Sequence, residues 1–171
     1  AWRIAIEHKT GPVALVLTRQ NLPILDLKKY PQIHLGVVSG GYVLEHASGE
    51  TPADVTLIAT GSEVSLALAA RQKLEGRGVR ARVVSLPCWN LFNTQPTEYQ
   101  EAVLPPKIPM LAIEAGVSLG WQPYIGPRIA TISVDHFGAS APGEVVMREY
   151  GFSVDNVTKR ALEVIKQNLK A

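Results

Sequence analysis

The sequence is poor in cysteine and aromatic residues, and it has no strong excess of either charge. Its single cysteine, Cys88, has no second thiol in the chain. An internal disulfide framework is therefore excluded, and a reducing cytoplasm is the expected compartment. Aromatic residues make up 6% of the chain and charged residues 19%, with a formal net charge of +2. Lysines and arginines are dispersed, with no run longer than Lys28-Lys29, so the basic face of a nucleic-acid binder is missing. Long apolar runs are missing too. Stretches such as Val13 to Leu17 fall far below the roughly 20 residues that span a bilayer. The start, Ala1-Trp2-Arg3-Ile4, lacks the charged-then-apolar plan of a secretory signal. It also lacks an initiator Met, from which we expect a chain that begins inside a longer protein. What is present is a globular mixture of 171 residues, 46% of them hydrophobic. That is enough for one good core and short for two.

From about Asp54 onward the pattern alternates strand and helix. Val55 to Ala59 is a short, continuous apolar run between turn residues, as in a strand covered on both faces. Thr60 and Glu63 then have capping-box spacing at the start of a helix, with Ser62 as a competing cap. Val64, Ala67, Leu68 and Leu74 share a helical face, and Gly76 or Gly78 can stop the helix in a left-handed turn. Ala81 to Leu86 is a second strand ended by Pro87. A polar stretch containing Thr94 to Glu101 includes a short helix, broken by Pro105-Pro106. Met110 to Ile113 and Ile129 to Val134 are further apolar runs, and Ser153 caps a last helix striped by Val157, Ala161, Val164, Ile165 and Leu169. Such alternation predicts a three-layer α/β/α domain with a mostly parallel sheet.

The first fifty residues differ. Val13 to Thr18 reads as a strand, Gly40 to Leu44 as another short one, and Ser48 to Pro52 as a linker. Too few elements are present there to bury a core, so this part is expected to be the tail of another α/β domain.

Among candidate motifs, Gly116-Val117-Ser118-Leu119-Gly120 fits the G-x-S-x-G pattern of a hydrolase nucleophile elbow, with Asp135 and His136 in the right order after it. Adjacent Asp and His side chains generally point apart, which leaves Asp135 badly placed to orient the His136 imidazole for Ser118. A tight turn is the favoured reading. Thr60-Gly61-Ser62 could start a phosphate-binding helix, but the full dinucleotide and Walker patterns are absent. A capped helix is the plainer account. His8, His34, His46 and His136 have no metal-ligand spacing with one another or with Cys88. Cys88 itself reads as a small buried apolar residue rather than a reactive thiol. Arg19 follows directly on the predicted strand Val13 to Thr18, where α/β proteins build ligand pockets. Its planar, permanently charged fork suits a phosphate. By position alone, a salt bridge or interdomain contact accounts for it as well.

Several blocks carry a more specific signal. Leu17-Thr18-Arg19-Gln20-Asn21-Leu22-Pro23 resembles the stretch that closes the pyrimidine-binding domain of transketolases, and Gly40 to Leu44 resembles the strand after it. Ala59-Thr60-Gly61-Ser62-Glu63-Val64 and Arg82 to Pro87 resemble the first two strands of the transketolase C-terminal domain. Glu114 to Ser118, Phe137 to Gly143 and Tyr150 to Val157 continue the likeness in order. The resemblance covers essentially the whole chain, apart from His136, which stands where an Arg is frequent. It implies residues 1–48 as the end of the pyrimidine-binding domain and 49–171 as the C-terminal domain.

That family is a homodimeric transferase of the pentose phosphate pathway. It uses thiamine diphosphate and a divalent cation (Mg or Ca) to move a two-carbon ketol unit from a ketose phosphate to an aldose phosphate. The resemblance implies that Arg19 binds the sugar phosphate, and it is the one site residue carried over. No catalytic, cofactor-binding or metal-binding residue is expected, because those groups lie upstream in the family. Neither cofactor nor cation is therefore expected to bind this piece, and it is expected to be inactive alone. Its expected partners are the rest of the transketolase chain, a second subunit and sugar phosphates, with no nucleic acid or membrane. The competing readings are a stand-alone assembly or regulatory module built from the same domain, and a serine hydrolase.

Overall fold

The computed structural model describes residues 1–50, 52–125 and 130–169. Along the chain the elements are α1 (Trp2–Glu7), α2 (Ile33–Val38), β1 (Tyr42–Glu45), β2 (Val55–Ala59), α3 (Glu63–Glu75), β3 (Ala81–Ser85) and α4 (Trp89–Asn93). They continue with α5 (Thr97–Val103), β4 (Met110–Ile113), α6 (Gln122–Ile125), β5 (Ala130–Ile132), α7 (Gly143–Glu149) and α8 (Val154–Asn168).

The apolar runs of β2, β3 and β4 are buried on both faces, and this burial selects the centre of a sheet for them. The sheet order is β1-β3-β2-β4-β5. β2, β3, β4 and β5 pair in parallel, and β1 joins the outer side of β3 antiparallel. Leu57 stands opposite Val83 on one side and Leu111 on the other. Because side chains alternate across a strand, these three face one layer, and they cluster with Ala67, Ala70 and Leu74 of α3 and Val157, Ala161 and Val164 of α8. Ile58, Val84 and Ala112 face the other layer and meet Phe92, Val103 and Trp121. The expected three-layer α/β/α arrangement with a mostly parallel sheet is thus observed.

The chain enters this core before the sheet begins. Tyr30 is buried in the first layer with Leu25 and Ile33 against it. A Cβ on Gly36 would fall 2.2 Å from the Tyr42 ring, so helix α2 lies directly on β1. Gly78, with φ +75°, makes the left-handed turn after α3. Ser153 caps α8 as expected, its Oγ accepting from the Asn156 N–H at 3.2 Å. Ser153→Ala is expected to cost about 1 kcal/mol by freeing that amide. A urea midpoint lowered at unchanged slope would register the loss.

Two expectations fail. Residues Val13 to Thr18 form no strand, and Val16 and Leu17 are exposed. A strand exists only by hydrogen bonding to a neighbour, and no described segment pairs with this one. The Thr60–Glu63 capping box does not form either. Ser62 is the N-cap residue, without a side-chain cap bond, and Glu63 turns inward to bind elsewhere. The polar stretch containing Thr94 to Glu101 holds its expected short helix, α5, and a further short helix, α4, precedes it. Of the fourth apolar run, Ala130 to Ile132 is strand β5, while Ile129 lies outside the described residues.

Candidate functional site

The connection from β2 through α3 leads to β3 on one side, whereas the next one crosses back to β4 on the other. The chain therefore reverses direction between β2 and β4, and loops leaving their carboxyl ends diverge. In open parallel sheets this divergence is where ligands bind. Here it is bordered by Thr60 to Glu63 after β2 and Glu114 to Gly116 at the end of β4.

Gly61 makes the β2–α3 turn with φ +54°, a conformation that costs a side-chain-bearing residue. The turn directs Glu63 inward, where it is 3% exposed. Its carboxylate accepts from the Ser62 hydroxyl at 2.6 Å and from the Ala115 N–H at 3.4 Å. Next to that amide, burial and the nearby Glu63 charge push the Glu114 carboxyl up to about 7. The start of α3 is thus occupied by an acidic side chain of the chain itself. An incoming phosphate would meet this charge, which disfavours the phosphate reading of Thr60-Gly61-Ser62.

Arg19 lies beside the same edge. Thr18 Cγ2 stands 4.0 Å from a Cβ built on Gly61, and the Thr18 hydroxyl donates to the Gln20 carbonyl at 3.2 Å. Arg19 is exposed, and among the described residues its guanidinium has no hydrogen-bond or ion-pair partner. The salt bridge that would account for it within the chain is absent there.

The serine motif is built for packing. Residues 116 to 120 form a looped connection from β4 towards α6. The Ser118 N–H donates to Asp135 Oδ1 at 2.8 Å, and the Ser133 hydroxyl donates to Oδ2 at 3.1 Å. Both bonds hold Asp135 below the ordinary carboxylate range, the Ser118 amide foremost. His136 bonds the Phe137 carbonyl through Nδ1 and sets its ring edge-on to Tyr150, 4.6 Å between centroids. No bond links it to Ser118. At Gly120, with φ +94°, a Cβ would fall 2.5 Å from the Trp89 ring. That ring packs edge-on against Trp121 at 5.2 Å. Gly120 of the motif therefore serves a tight turn.

His8, His34, His46 and His136 are all exposed, and Cys88 is half-buried at the start of α4. Among the described residues no group of three His, Cys, Asp or Glu side chains could hold a metal ion. A divalent cation therefore does not fit the donors among the described residues. The pair Glu63 and Glu114 escaped the sequence reading. Glu63 was expected as a helix cap, and only the pairing of β2 with β4 brings Glu114 beside it.

Fold and edge together define an α/β domain of the open, mostly parallel type, with a pair of glutamates at its strand ends and beside them an arginine that is unpaired among the described residues. Residues 40–153 match the family model described as the transketolase-like TK C-terminal domain, and the chain belongs to that family. It is 48% identical over 167 residues to the transketolase of Halalkalibacterium halodurans, covering 97% of this chain and 25% of the relative. Against the Geobacillus stearothermophilus transketolase it is 47% identical, covering 94% and 24% respectively. Among solved structures, Leishmania mexicana transketolase superposes with TM-score 0.71 at 39% identity, over 78% of this chain and 19% of that one. A Pichia stipitis transketolase complex with sedoheptulose-7-phosphate gives TM-score 0.70 at 36% identity, over 77% and 19%. The chain thus spans about a quarter of the length of the curated relatives it matches.

Proposed function

We propose that this chain is the C-terminal part of a transketolase, and that Arg19 holds the phosphate end of its sugar substrates. The complete protein would transfer a two-carbon ketol unit from a ketose phosphate to an aldose phosphate within the pentose phosphate pathway. It would act as a cytoplasmic homodimer, with thiamine diphosphate and a divalent cation bound by parts outside this chain. The observation that carries the reading is the match over 97% of the chain to a relative four times its length. The sugar-phosphate complex of the Pichia stipitis enzyme supports the substrate class. The guanidinium of Arg19 at the sheet's carboxyl edge, exposed and without a partner among the described residues, supports the role of that residue, because a planar fork favours bidentate phosphate contact.

The division at residue 48 is proposed with one qualification of position. Strand β1, before that boundary, hydrogen-bonds into the sheet that follows it, and the family match begins at residue 40. Both observations, together with Tyr30 already buried in that core, favour a seam earlier than residue 48.

The 171-residue chain is expected to show no ketol transfer when supplied with thiamine diphosphate, Mg2+, a ketose phosphate and an aldose phosphate. The complete protein should turn over under the same conditions. Turnover by the 171-residue chain itself would overturn the division of labour proposed here and favour a self-sufficient module.

A further inference from the structure

We propose that Glu63 and Glu114 form a pH-sensitive latch, in which protonated Glu114 keeps the loop after β4 fastened to the start of α3 and ionised Glu114 releases it. The proposal concerns the domain alone and does not depend on the transferase reading.

The geometry places the two carboxyl groups on adjoining segments at the carboxyl ends of β2 and β4. Glu63 opens α3, is 3% exposed, and takes its hydrogen bonds from Ser62 and the Ala115 amide. Glu114 immediately precedes that amide, so the bond joining the two segments lies next to the second carboxyl. Glu114 is itself half-buried. Its backbone N–H is fixed to the Ile132 carbonyl of β5 at 3.0 Å, which limits how far it can retreat. A Cβ on Gly116 would stand 3.5 Å from Glu114 Oε1, so the side chain leans along the loop it precedes.

Two like charges at such a junction are disfavoured, and the group with fewer hydrogen-bond donors keeps its proton. Glu63 has hydrogen-bond donors for an anion, and Glu114 has none among the described residues. Burial first and the Glu63 charge second push Glu114 up to about 7. The charged groups on neighbouring elements offer no relief. Asp135, after β5, is occupied by Ser118 and Ser133. Among the described residues, Glu63 is the charged group whose field reaches Glu114.

The sign follows from which form is favoured. Below neutrality Glu114 is neutral and the Ala115 N–H bond to Glu63 is undisturbed. As the pH rises through about 7, a second negative charge develops beside Glu63. Repulsion then parts the segments and strains that bond. Residues 116 to 120 lose their anchor on α3, keeping the Ser118 bond to Asp135 on the other side. Val117 and Leu119, both exposed on this loop, would move with it.

Amide hydrogen exchange of the 171-residue chain between pH 5.5 and 8.5, corrected for intrinsic rates, tests the latch. Protection of the Ala115 and Gly116 amides is expected to fall by about tenfold across neutrality in the unsubstituted chain, the equivalent of one pK unit. In Glu114→Gln the protection should stay flat, and in Glu63→Gln the fall should shrink. An equal fall in Glu114→Gln, or flat protection in the unsubstituted chain, would overturn the proposal. Should the variants fail to fold, 13C titration of the Glu114 carboxyl in the unsubstituted chain decides. A midpoint near 7 supports the latch, and a midpoint below about 5, the ordinary carboxylate range, sinks it.

Discussion

Arg19→Ala, introduced into the complete protein, is expected to lower kcat/KM for phosphorylated ketoses by about 10- to 100-fold, chiefly through KM. A hydrogen bond to a charged group contributes about 1.5–3 kcal/mol, which converts to that range. A phosphate remote from the reacting carbons is held alike in the ground state and the transition state. Its loss therefore removes uniform binding and leaves kcat nearly unchanged. Unphosphorylated ketoses lack the group that Arg19 would hold, so their kinetics should scarcely move. Arg19→Lys should fall between the two, because a point charge keeps attraction and loses the bidentate fork. Equal losses for phosphorylated and unphosphorylated ketoses would refute the phosphate role. Arg19 is exposed and unpartnered among the described residues, so the unfolding midpoint of Arg19→Ala should match the unsubstituted protein. This separates a binding defect from a folding one.

The largest structural effect is expected at Gly40, just before β1. Its φ of +78° lies in the left-handed region. A Cβ there would stand 2.4 Å from the Cys88 carbonyl oxygen and 2.5 Å from the Phe92 amide nitrogen. Both contacts are backbone atoms of α4 and its N-cap, so neither can swing aside as a side-chain tip could. The Cys88 N–H also donates to the Gly40 carbonyl at 3.0 Å, which fixes the two segments at close range. Gly40→Ala therefore combines a left-handed penalty with overpacking, together about 2–5 kcal/mol. Roughly 2–4 °C per kcal/mol applies at this chain length, and a thermal midpoint lowered by roughly 5–15 °C is expected in calorimetry. Gly49→Ala is the control. It has a similar φ of +81° and no atom within 4 Å of the added Cβ, so it should show only the conformational part of the loss. Equal effects at the two positions would contradict the close-packing account.

The central strands were legible because each is a short apolar run between turn residues, and burial on both faces demands just that composition. Ser153 was legible as a cap because its signal is local, a hydroxyl three residues before the amide it accepts from. The same kind of local signal misled at Thr60 and Glu63. There the carboxylate had a better partner in the Ala115 amide, 52 residues away. Val13 to Thr18 misled in the opposite sense. Its apolar run suits a strand, but strand formation depends on a neighbour that the described residues do not supply.

The sequence by itself determined the alternation of strand and helix, the apolar faces that make the two core layers, and, through its motifs, the family likeness. These are carried by periodicity and short-range spacing, which a linear chain displays directly. Only the tertiary structure decided that β1 is the antiparallel edge of the sheet and that Ser118 and His136 do not meet. It also decided that Glu63 faces Glu114. Those outcomes depend on strand order. Crossing from β3 back over β2 to β4 brings together groups far apart in the chain, and no local pattern encodes that crossing.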